Sequence, residues 1–159
     1  IYEHNSVRLF GWQEKGTGRL FRNRPAGVRK ALTLFGYEAL QSKDTIIIVE
    51  SPLDVVKMAS WGYYVGVATY GASVSREQLE YIRTAETVIV ALDNDSAGEK
   101  ATQDFANSAK SLGMEYFVFD YSNLPNVKDV GDMTQEEFET GLLNSRHCVM
   151  SAAIFGGVK

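Results

Sequence analysis

The chain has 159 residues, of which 45% are hydrophobic and 23% charged, and a formal net charge of −4. This length fits one domain, or one domain with a small appendage, and allows a sizeable hydrophobic core. No apolar run approaches the roughly 20 residues that a membrane helix needs, which excludes a spanning segment. The single Cys148 cannot form an internal disulfide and no signal peptide is visible, so we expect a cytoplasmic protein. Because the chain begins with Ile1 rather than methionine, we expect a piece of something longer.

The net charge hides an asymmetry along the chain. Of the sixteen lysine and arginine residues, six lie between residues 15 and 30, where there is no acid. The other ten face twenty acidic residues, so the remainder of the chain carries about −10. Such a block is often a solvated surface, but its interleaving with Phe21 and glycines also suits a phosphate backbone held by charge and counterion release. The basic residues are Lys15, Arg19, Arg22, Arg24, Arg29 and Lys30.

The N-terminal part of the chain predicts a small hairpin followed by irregular structure. Apolar residues alternate over 6–13, and a glycine-rich turn leads to a second strand-like stretch over 19–22. Residues 23–27 are irregular by composition, and residues 31–40 predict a short amphipathic element. We therefore expect residues 1–44 to form a basic hairpin and linker.

From residue 45 onward the pattern alternates between strands and helices. Short, β-branched apolar runs predict strands over 45–49, 64–69, 87–92 and 114–120. Helices are predicted after the capping residues Ser51 and Ser75, over 96–112 and over 134–143. This alternation predicts an α/β fold with a parallel sheet flanked by helices. We expect the main domain to span residues 45–135, with a C-terminal helix and tail over 136–159.

Carboxylates follow two of the predicted strands at the point where each strand ends. Glu50 follows the first strand, and Asp93 and Asp95 follow the third. The carboxyl ends of parallel strands meet at the edge where open α/β sheets bind ligands, so these acids can converge. Because close carboxylates repel one another unless a cation joins them, the pattern predicts a Mg²⁺ or Mn²⁺ site.

Each of these acids also has a simpler interpretation. Asp93 and Asp95 are typical of helix N-termini, and Asp95 fits the N-cap position. Glu50 could simply be a surface acid at the end of a strand. In a metal site it would be a ligand or a general base. Nearby cations would lower its pKa and so favour the ligand role. Asp54 could stabilise the following helix by interacting with its dipole, or it could position a metal ligand. Gly71 could allow a close approach of the backbone, or it could be an ordinary turn glycine.

One ordered set of residues resembles the TOPRIM domain: Glu50 with Asp54 four residues on, Gly71 after the second strand, and Asp93-x-Asp95-x-Ala97-Gly98 after the third. The resemblance covers residues 45–132 and implies a Rossmann-like parallel sheet that binds divalent metal. Topoisomerases, bacterial-type primases, nucleases and recombination proteins share this domain.

Within that superfamily the chain looks most like the catalytic core of bacterial-type primases, especially those of phages. The likeness lies in Arg22 to Pro25 with Leu34 to Ala39, in Asp95 to Ala101 and in Val127 to Asp132. Two positions depart from the primase pattern. Ser51-Pro52 follows Glu50 where primases commonly have glycine, which resembles a viral variant, and the last segment lacks a proline, which leaves Asp132 unassigned. The chain has no cysteine–histidine cluster, so we expect no zinc-binding part within it.

The resemblance implies RNA-primer synthesis on single-stranded DNA, in which a 3′-hydroxyl attacks the α-phosphate of a nucleoside triphosphate and pyrophosphate leaves. It assigns catalysis to Glu50, Asp93 and Asp95, and metal binding to these three with Asp129, supported by Asp54 and Gly71. Contacts with template or triphosphate are expected from Arg19, Arg22, Asn23, Arg24, Arg29, Lys30 and Lys128. The implied partners are single-stranded DNA, NTPs and a replicative helicase reached through regions outside this chain. A phage-encoded protein would act in the cytoplasm of the host cell.

Other TOPRIM functions fit the same acids. A metal-dependent nuclease would use them without a triphosphate site. A topoisomerase would need a tyrosine nucleophile from another domain, which the sequence does not identify. A module that only binds DNA or protein would not need the acid set.

Overall fold

The computed structural model describes residues 1–2, 8–17, 21–42 and 44–148. Its strands are β1 (Trp12–Lys15), β2 (Phe21–Arg24), β3 (Thr45–Val49), β4 (Gly66–Ala68), β5 (Thr87–Val90), β6 (Tyr116–Val118) and β7 (Arg146–Cys148). Its α-helices are α1 (Pro52–Ser60), α2 (Arg76–Ile82), α3 (Ser96–Ser111) and α4 (Gln135–Leu143). Short 3₁₀ helices cover Lys30–Leu32, Tyr37–Gln41 and Val130–Asp132.

A five-stranded sheet with the order β4-β3-β5-β6-β7 forms the body of the molecule. The first four strands are parallel and β7 is antiparallel to β6. The predicted α/β fold, a mostly parallel sheet flanked by helices, is therefore confirmed. The chain runs from β3 to β4 on one side and then crosses to β5 on the other, which creates a switch point at the carboxyl ends of β3 and β5.

The two faces of the sheet carry separate halves of the core. Ile46 and Ile48 of β3 pack with the side chains of α2 and α3 on one face. Ile47 and Val49 pack on the other face with α1 and with Phe138 of α4. Because successive strand residues point to opposite faces, a strand covered on both sides needs an unbroken apolar run. This explains the Ile-Ile-Ile-Val sequence of β3.

Three helices begin at the capping residues that the sequence predicted. The Ser51 hydroxyl accepts a hydrogen bond from Leu53 N at 3.2 Å, with Pro52 at the first helical position of α1. Ser75 and Gln78 form the expected capping box at the start of α2. Asp95 caps α3. No helix of the described residues is long and apolar enough to cross a membrane.

The N-terminal segment differs in detail from its prediction. The hairpin pairs Trp12 with Arg24 and Lys15 with Phe21, so its strands lie closer to the glycine-rich turn than residues 6–13, and its second strand includes part of the segment predicted as irregular. Residues 3–7 and 18–20 lie outside the described part. The amphipathic element over 31–40 is two 3₁₀ helices, because Phe35 between them pairs with Ala68 of β4.

The C-terminal part contains a strand that the sequence pattern did not indicate. β7 has only one apolar residue, and it forms because it pairs with β6, the last of the parallel strands. Residues 149–159 lie outside the described part. The predicted domain boundaries after residues 44 and 135 stay predictions.

Candidate functional site

A central cavity of about 680 Å³ opens at the switch point of the sheet. One wall carries acidic side chains: Glu50, Asp54, Asp93, Asp129 and Asp132. The facing wall comes from the hairpin and the segment after it: Gln13, Lys15, Phe21, Asn23 and Lys30. Lys57 of α1 and Lys128 also line it. The cavity thus brings the predicted acids Glu50, Asp93 and Asp129 together with part of the predicted basic block.

The turn after β5 holds Asp93 and Asp95. The Asp93 backbone N–H donates to Glu50 Oε1 at 3.4 Å, which links the ends of β3 and β5. Asp95 Oδ1 accepts hydrogen bonds from Ala97 N and Gly98 N, both at 3.0 Å. These bonds, that of Gly98 foremost, lower the pKa of Asp95. The helix-capping interpretation of Asp95 therefore holds. Its other oxygen, Oδ2, lies 3.3 Å from the Lys128 ammonium, so Asp95 also belongs to the site.

Glycine at position 98 permits this turn. A Cβ on Gly98 would lie 1.9 Å from the Asp93 carbonyl oxygen, so only glycine allows α3 to begin so close to the end of β5. Asp95 also lines a second cavity of about 750 Å³ between α3 and β6, which it shares with Asp93.

Lys128 contacts the acidic side chains at the end of β5. Its ammonium contacts Asp93 Oδ2, and its carbonyl accepts a hydrogen bond from Asn94 N at 2.6 Å. Burial lowers the pKa of Lys128, but the hydrogen bonds and charges of Asp93 and Asp95 together outweigh burial, so the pKa is raised overall. In the free chain Lys128 is therefore an ion-pair partner of the carboxylates, an arrangement that the sequence did not predict.

Glu50 is half-buried at the end of β3. Burial, followed by the charge of Asp93, raises its pKa to about 7. In the free chain, desolvation and the neighbouring carboxylates outweigh Lys128. That the cations of a metal site would lower this pKa stays a prediction. Glu50 can thus gain or lose a proton near neutral pH.

Asp54 lies inside the cavity wall rather than on the outer face of α1. Its side chain is 3% exposed and accepts a hydrogen bond from Gly131 N at 3.2 Å. Burial, followed by the charge of Asp129, raises its pKa to about 7. A favourable helix dipole alone would lower the pKa, so burial in the acid cluster dominates.

Asp129 joins the cluster from the loop before α4. Its Oδ1 accepts a hydrogen bond from Asp132 N at 3.1 Å, which caps the 3₁₀ helix Val130–Asp132. Burial and then the charge of Asp132 raise its pKa. Asp132, to which the sequence assigned no role, lines the same cavity.

Tyr121 is a neighbour of the cluster that sequence reasoning missed. Its hydroxyl is buried and has no hydrogen-bond partner among the described residues. Burial, followed by the charge of Asp54, raises its pKa. The available signal was an aromatic residue directly after Asp120 at the end of the fourth predicted strand.

The predicted phosphate-binding residues divide into two groups. Asn23 and Lys30 line the cavity, and Lys30 Nζ donates to the Tyr70 carbonyl at 2.5 Å, beside Gly71. A Cβ on Gly71 would lie 3.3 Å from Lys30 Nζ, so this glycine gives the lysine room.

The other predicted basic residues lie outward. Arg22, Arg24 and Arg29 are exposed, and Arg24 pairs with Glu14 across the hairpin at 3.5 Å. Arg19 lies outside the described residues.

The acid cluster has the donor chemistry of a magnesium or manganese site, since carboxylate oxygens are the preferred ligands. Among the described residues, however, no three acidic, histidine or cysteine side chains are already arranged to hold an ion. The ammonium of Lys128 instead lies between Asp93 and Asp95. The metal site therefore stays a prediction that requires Lys128 to move.

Comparison with known proteins agrees with the resemblance to the TOPRIM domain. The sequence profile of a family described as Toprim-like matches residues 47–134. The DNA primase of Rickettsia bellii is 31% identical over 154 residues, which are 90% of this chain and 26% of that protein. The chain thus spans about a quarter of the length of this relative.

Solved structures match as well. A DnaG primase catalytic domain bound to single-stranded DNA has 25% identity and a TM-score of 0.67, over 82% of this chain and 44% of that one. The zinc-binding and RNA polymerase domains of the Aquifex aeolicus primase share the fold, with 23% identity and a TM-score of 0.71, over 93% of this chain and 40% of that one.

Proposed function

Because the chain belongs to the Toprim-like family, as the TOPRIM domain of a bacterial-type DNA primase, we propose that it is part of a primase catalytic core that makes RNA primers. Primer synthesis is a nucleotidyl transfer from NTPs on single-stranded DNA. A similar DnaG domain is bound to single-stranded DNA, which supports this template. In a full-length protein, regions outside this chain would contact a replicative helicase. A phage origin and a place in the host cytoplasm belong to the same proposal.

The central cavity is the main support for this proposal, because one wall suits the metal ion of a metal–triphosphate complex and the other suits its phosphates. Carboxylates from the ends of β3 and β5 and from Asp129 suit a divalent ion. Lys15, Asn23 and Lys30 on the opposite wall suit phosphate oxygens. A nuclease would need the acids but not a wall shaped for a triphosphate.

We assign metal binding to Glu50, Asp93, Asp95 and Asp129, since TOPRIM domains and primases generally use divalent ions. Bound there, Mg²⁺ or Mn²⁺ would lower the pKa of the attacking hydroxyl and neutralise charge on the leaving pyrophosphate. Asp54 holds the loop that carries Asp129 through its bond to Gly131 N. Glu50, half-protonated near pH 7 in the free chain, would release its proton to act as a ligand.

The basic residues bind substrates in this proposal. Lys30 and Asn23 contact the triphosphate from within the cavity, and Lys128 adds a phosphate contact once it leaves the acids. Arg22, Arg24 and Arg29 face solvent, where they suit the template backbone, and Arg19 is assigned with them.

Extension of a supplied RNA primer on a DNA template tests the proposal without requiring initiation. With NTPs and Mn²⁺ we expect added nucleotides, and we expect their loss in Asp93→Asn/Asp95→Asn, which keeps side-chain shape and a good N-cap residue. Asp104→Asn, an exposed acid of α3, is the matched control. Cleavage of the template without NTPs would favour the nuclease, and Mn²⁺ binding unchanged in the double variant would remove the metal site.

A further inference from the structure

Lys128 occupies the space between the two carboxylates that the proposed function assigns to a divalent ion. Its ammonium contacts Asp93 and lies 3.3 Å from Asp95 Oδ2. The Asp93 side chain is 14% exposed and that of Lys128 is 30% exposed, so solvent and salt screen this pair less than a surface pair. An ammonium and a metal ion cannot occupy the same place between two carboxylates.

The backbone holds Lys128 in this place. Asn94, which separates the two acids, donates from its N–H to the Lys128 carbonyl at 2.6 Å and from Nδ2 to the Val127 carbonyl at 2.9 Å. The loop that carries the lysine is therefore tied to the turn that carries the acids. Lys57 lines the same cavity but differs, because its ammonium lies over the ring of Trp61, 5.2 Å from the centroid.

The rest of the acid wall is left without such compensation. Within the described part of the chain, Glu50, Asp54 and Asp129 form no ion pair. Lys128 thus offsets one of the two negative charges at the end of β5, while the other carboxylates still attract a cation of higher charge. A divalent ion would be favoured over one ammonium on charge alone.

We infer that Lys128 is an internal counter-ion that leaves Asp93 and Asp95 when a divalent ion binds them. This inference rests on the proposed metal site. The lysine competes with metal and compensates one of the two charges of the acid pair in the metal-free chain. Its release frees the ammonium for the phosphate contact proposed above.

Mn²⁺ titration of wild type, Lys128→Met and Lys57→Met at pH 8 tests the competition, with free Mn²⁺ followed by electron paramagnetic resonance. We expect Lys128→Met to bind Mn²⁺ at least about fivefold more tightly than wild type, as for removal of one partly buried competing charge. Lys57→Met removes an equal charge from the same cavity but leaves the contact between Lys128 and Asp93 intact. It should change the affinity for Mn²⁺ less than about twofold.

Thermal melting provides a second measurement that does not depend on activity. In EDTA, Lys128→Met should melt below wild type, because two carboxylates lose their partner. At saturating Mn²⁺ the difference should vanish or reverse. Equal or weaker Mn²⁺ binding by Lys128→Met, or a melting difference that Mn²⁺ leaves unchanged, would overturn the inference while the metal site stands. Absence of Mn²⁺ binding in all three chains would instead remove the metal site of the proposed function.

Discussion

Asp54 shows how burial changes the chemistry of an ordinary helix residue. In the first turn of a helix an exposed acid interacts favourably with the dipole and keeps a low pKa. Here the side chain is buried against the charge of Asp129, and its pKa rises to about 7. The carboxyl therefore titrates near neutral pH in the free chain. Its position one helical turn from Glu50 was visible in the sequence, but its depth was not.

This raised pKa predicts how stability depends on pH. Between about pH 4 and pH 7 the unfolded chain has ionised Asp54 while the folded chain still holds the proton, so the free energy of unfolding should fall as pH rises. One pKa unit is worth about 1.4 kcal/mol and the pKa rises from the usual 3.8 to about 7, so the part due to Asp54 should be on the order of 4 kcal/mol. Urea unfolding in EDTA from pH 4 to pH 8 measures it.

Asp54→Asn should remove that part of the pH dependence, since an amide does not titrate and its oxygen still accepts from Gly131. Glu50 contributes in the same direction and remains in the variant. Asp104→Asn, on the exposed face of α3, should follow wild type. A variant curve parallel to that of wild type would show that Asp54 ionises freely in the folded chain.

At the scale of elements, the start of α3 depends on close packing that a propensity scale misses. Alanine favours helices over glycine by about 1 kcal/mol, so propensity predicts that Gly98→Ala stabilises the chain. A Cβ at this position would instead lie 1.9 Å from the Asp93 carbonyl oxygen and 2.7 Å from its carbon. We expect the free energy of unfolding to fall by about 1 to 3 kcal/mol. Asn107→Ala, at an exposed position of α3, should be neutral or stabilising, and the same sign at both positions would contradict the packing argument.

Gln78 ties the N-terminal segment to the sheet. Its side chain is 1% exposed, and Nε2 donates to the carbonyls of Thr33 at 2.8 Å and Thr69 at 3.2 Å. Gln78→Leu would leave both carbonyls and the Ser75 N–H of the capping box without this partner, so we expect a loss of about 2 to 3 kcal/mol. Hydrogen exchange should also accelerate around Thr33, because that segment loses its link. The exposed Gln103→Leu is the control, and equal stability of the two variants would show that Gln78 is not such a tie.

The elements that the sequence predicted are those whose signals are local. Ser51-Pro52 and Ser75 with Gln78 start helices through bonds within four residues, so no tertiary information is needed. β7 depends on β6, a partner distant in the chain, which the sequence pattern does not identify. The hairpin register depends on which residues pair across the glycine-rich turn, and alternation alone does not determine that. The two 3₁₀ helices between residues 30 and 41 depend on Phe35, whose pairing with β4 only the folded chain provides.

At the scale of the whole molecule, the sheet brings opposite charges to one cavity. The acids were predictable, because carboxyl ends of neighbouring parallel strands must meet. The contact of Lys128 with Asp93 was not, since it depends on how the loop before α4 is held by Asn94. The basic block was visible as charge, but only the fold shows that Lys30 faces the acids while Arg22 and Arg24 face solvent.

This outward position makes the hairpin arginines the strongest test of template binding. Each phosphate contact to a single strand contributes a slope of about −0.7 to the dependence of log affinity on log salt. Arg22→Glu/Arg24→Glu should therefore weaken binding of a fluorescent oligo-dT by at least about tenfold and make the slope shallower by about 1.4, as measured by anisotropy between 50 and 300 mM salt. Arg83→Glu/Lys110→Glu makes the same charge change at exposed positions of the helical side and should leave the slope unchanged. Equal losses in both double variants would mean that net charge, rather than the hairpin, determines binding.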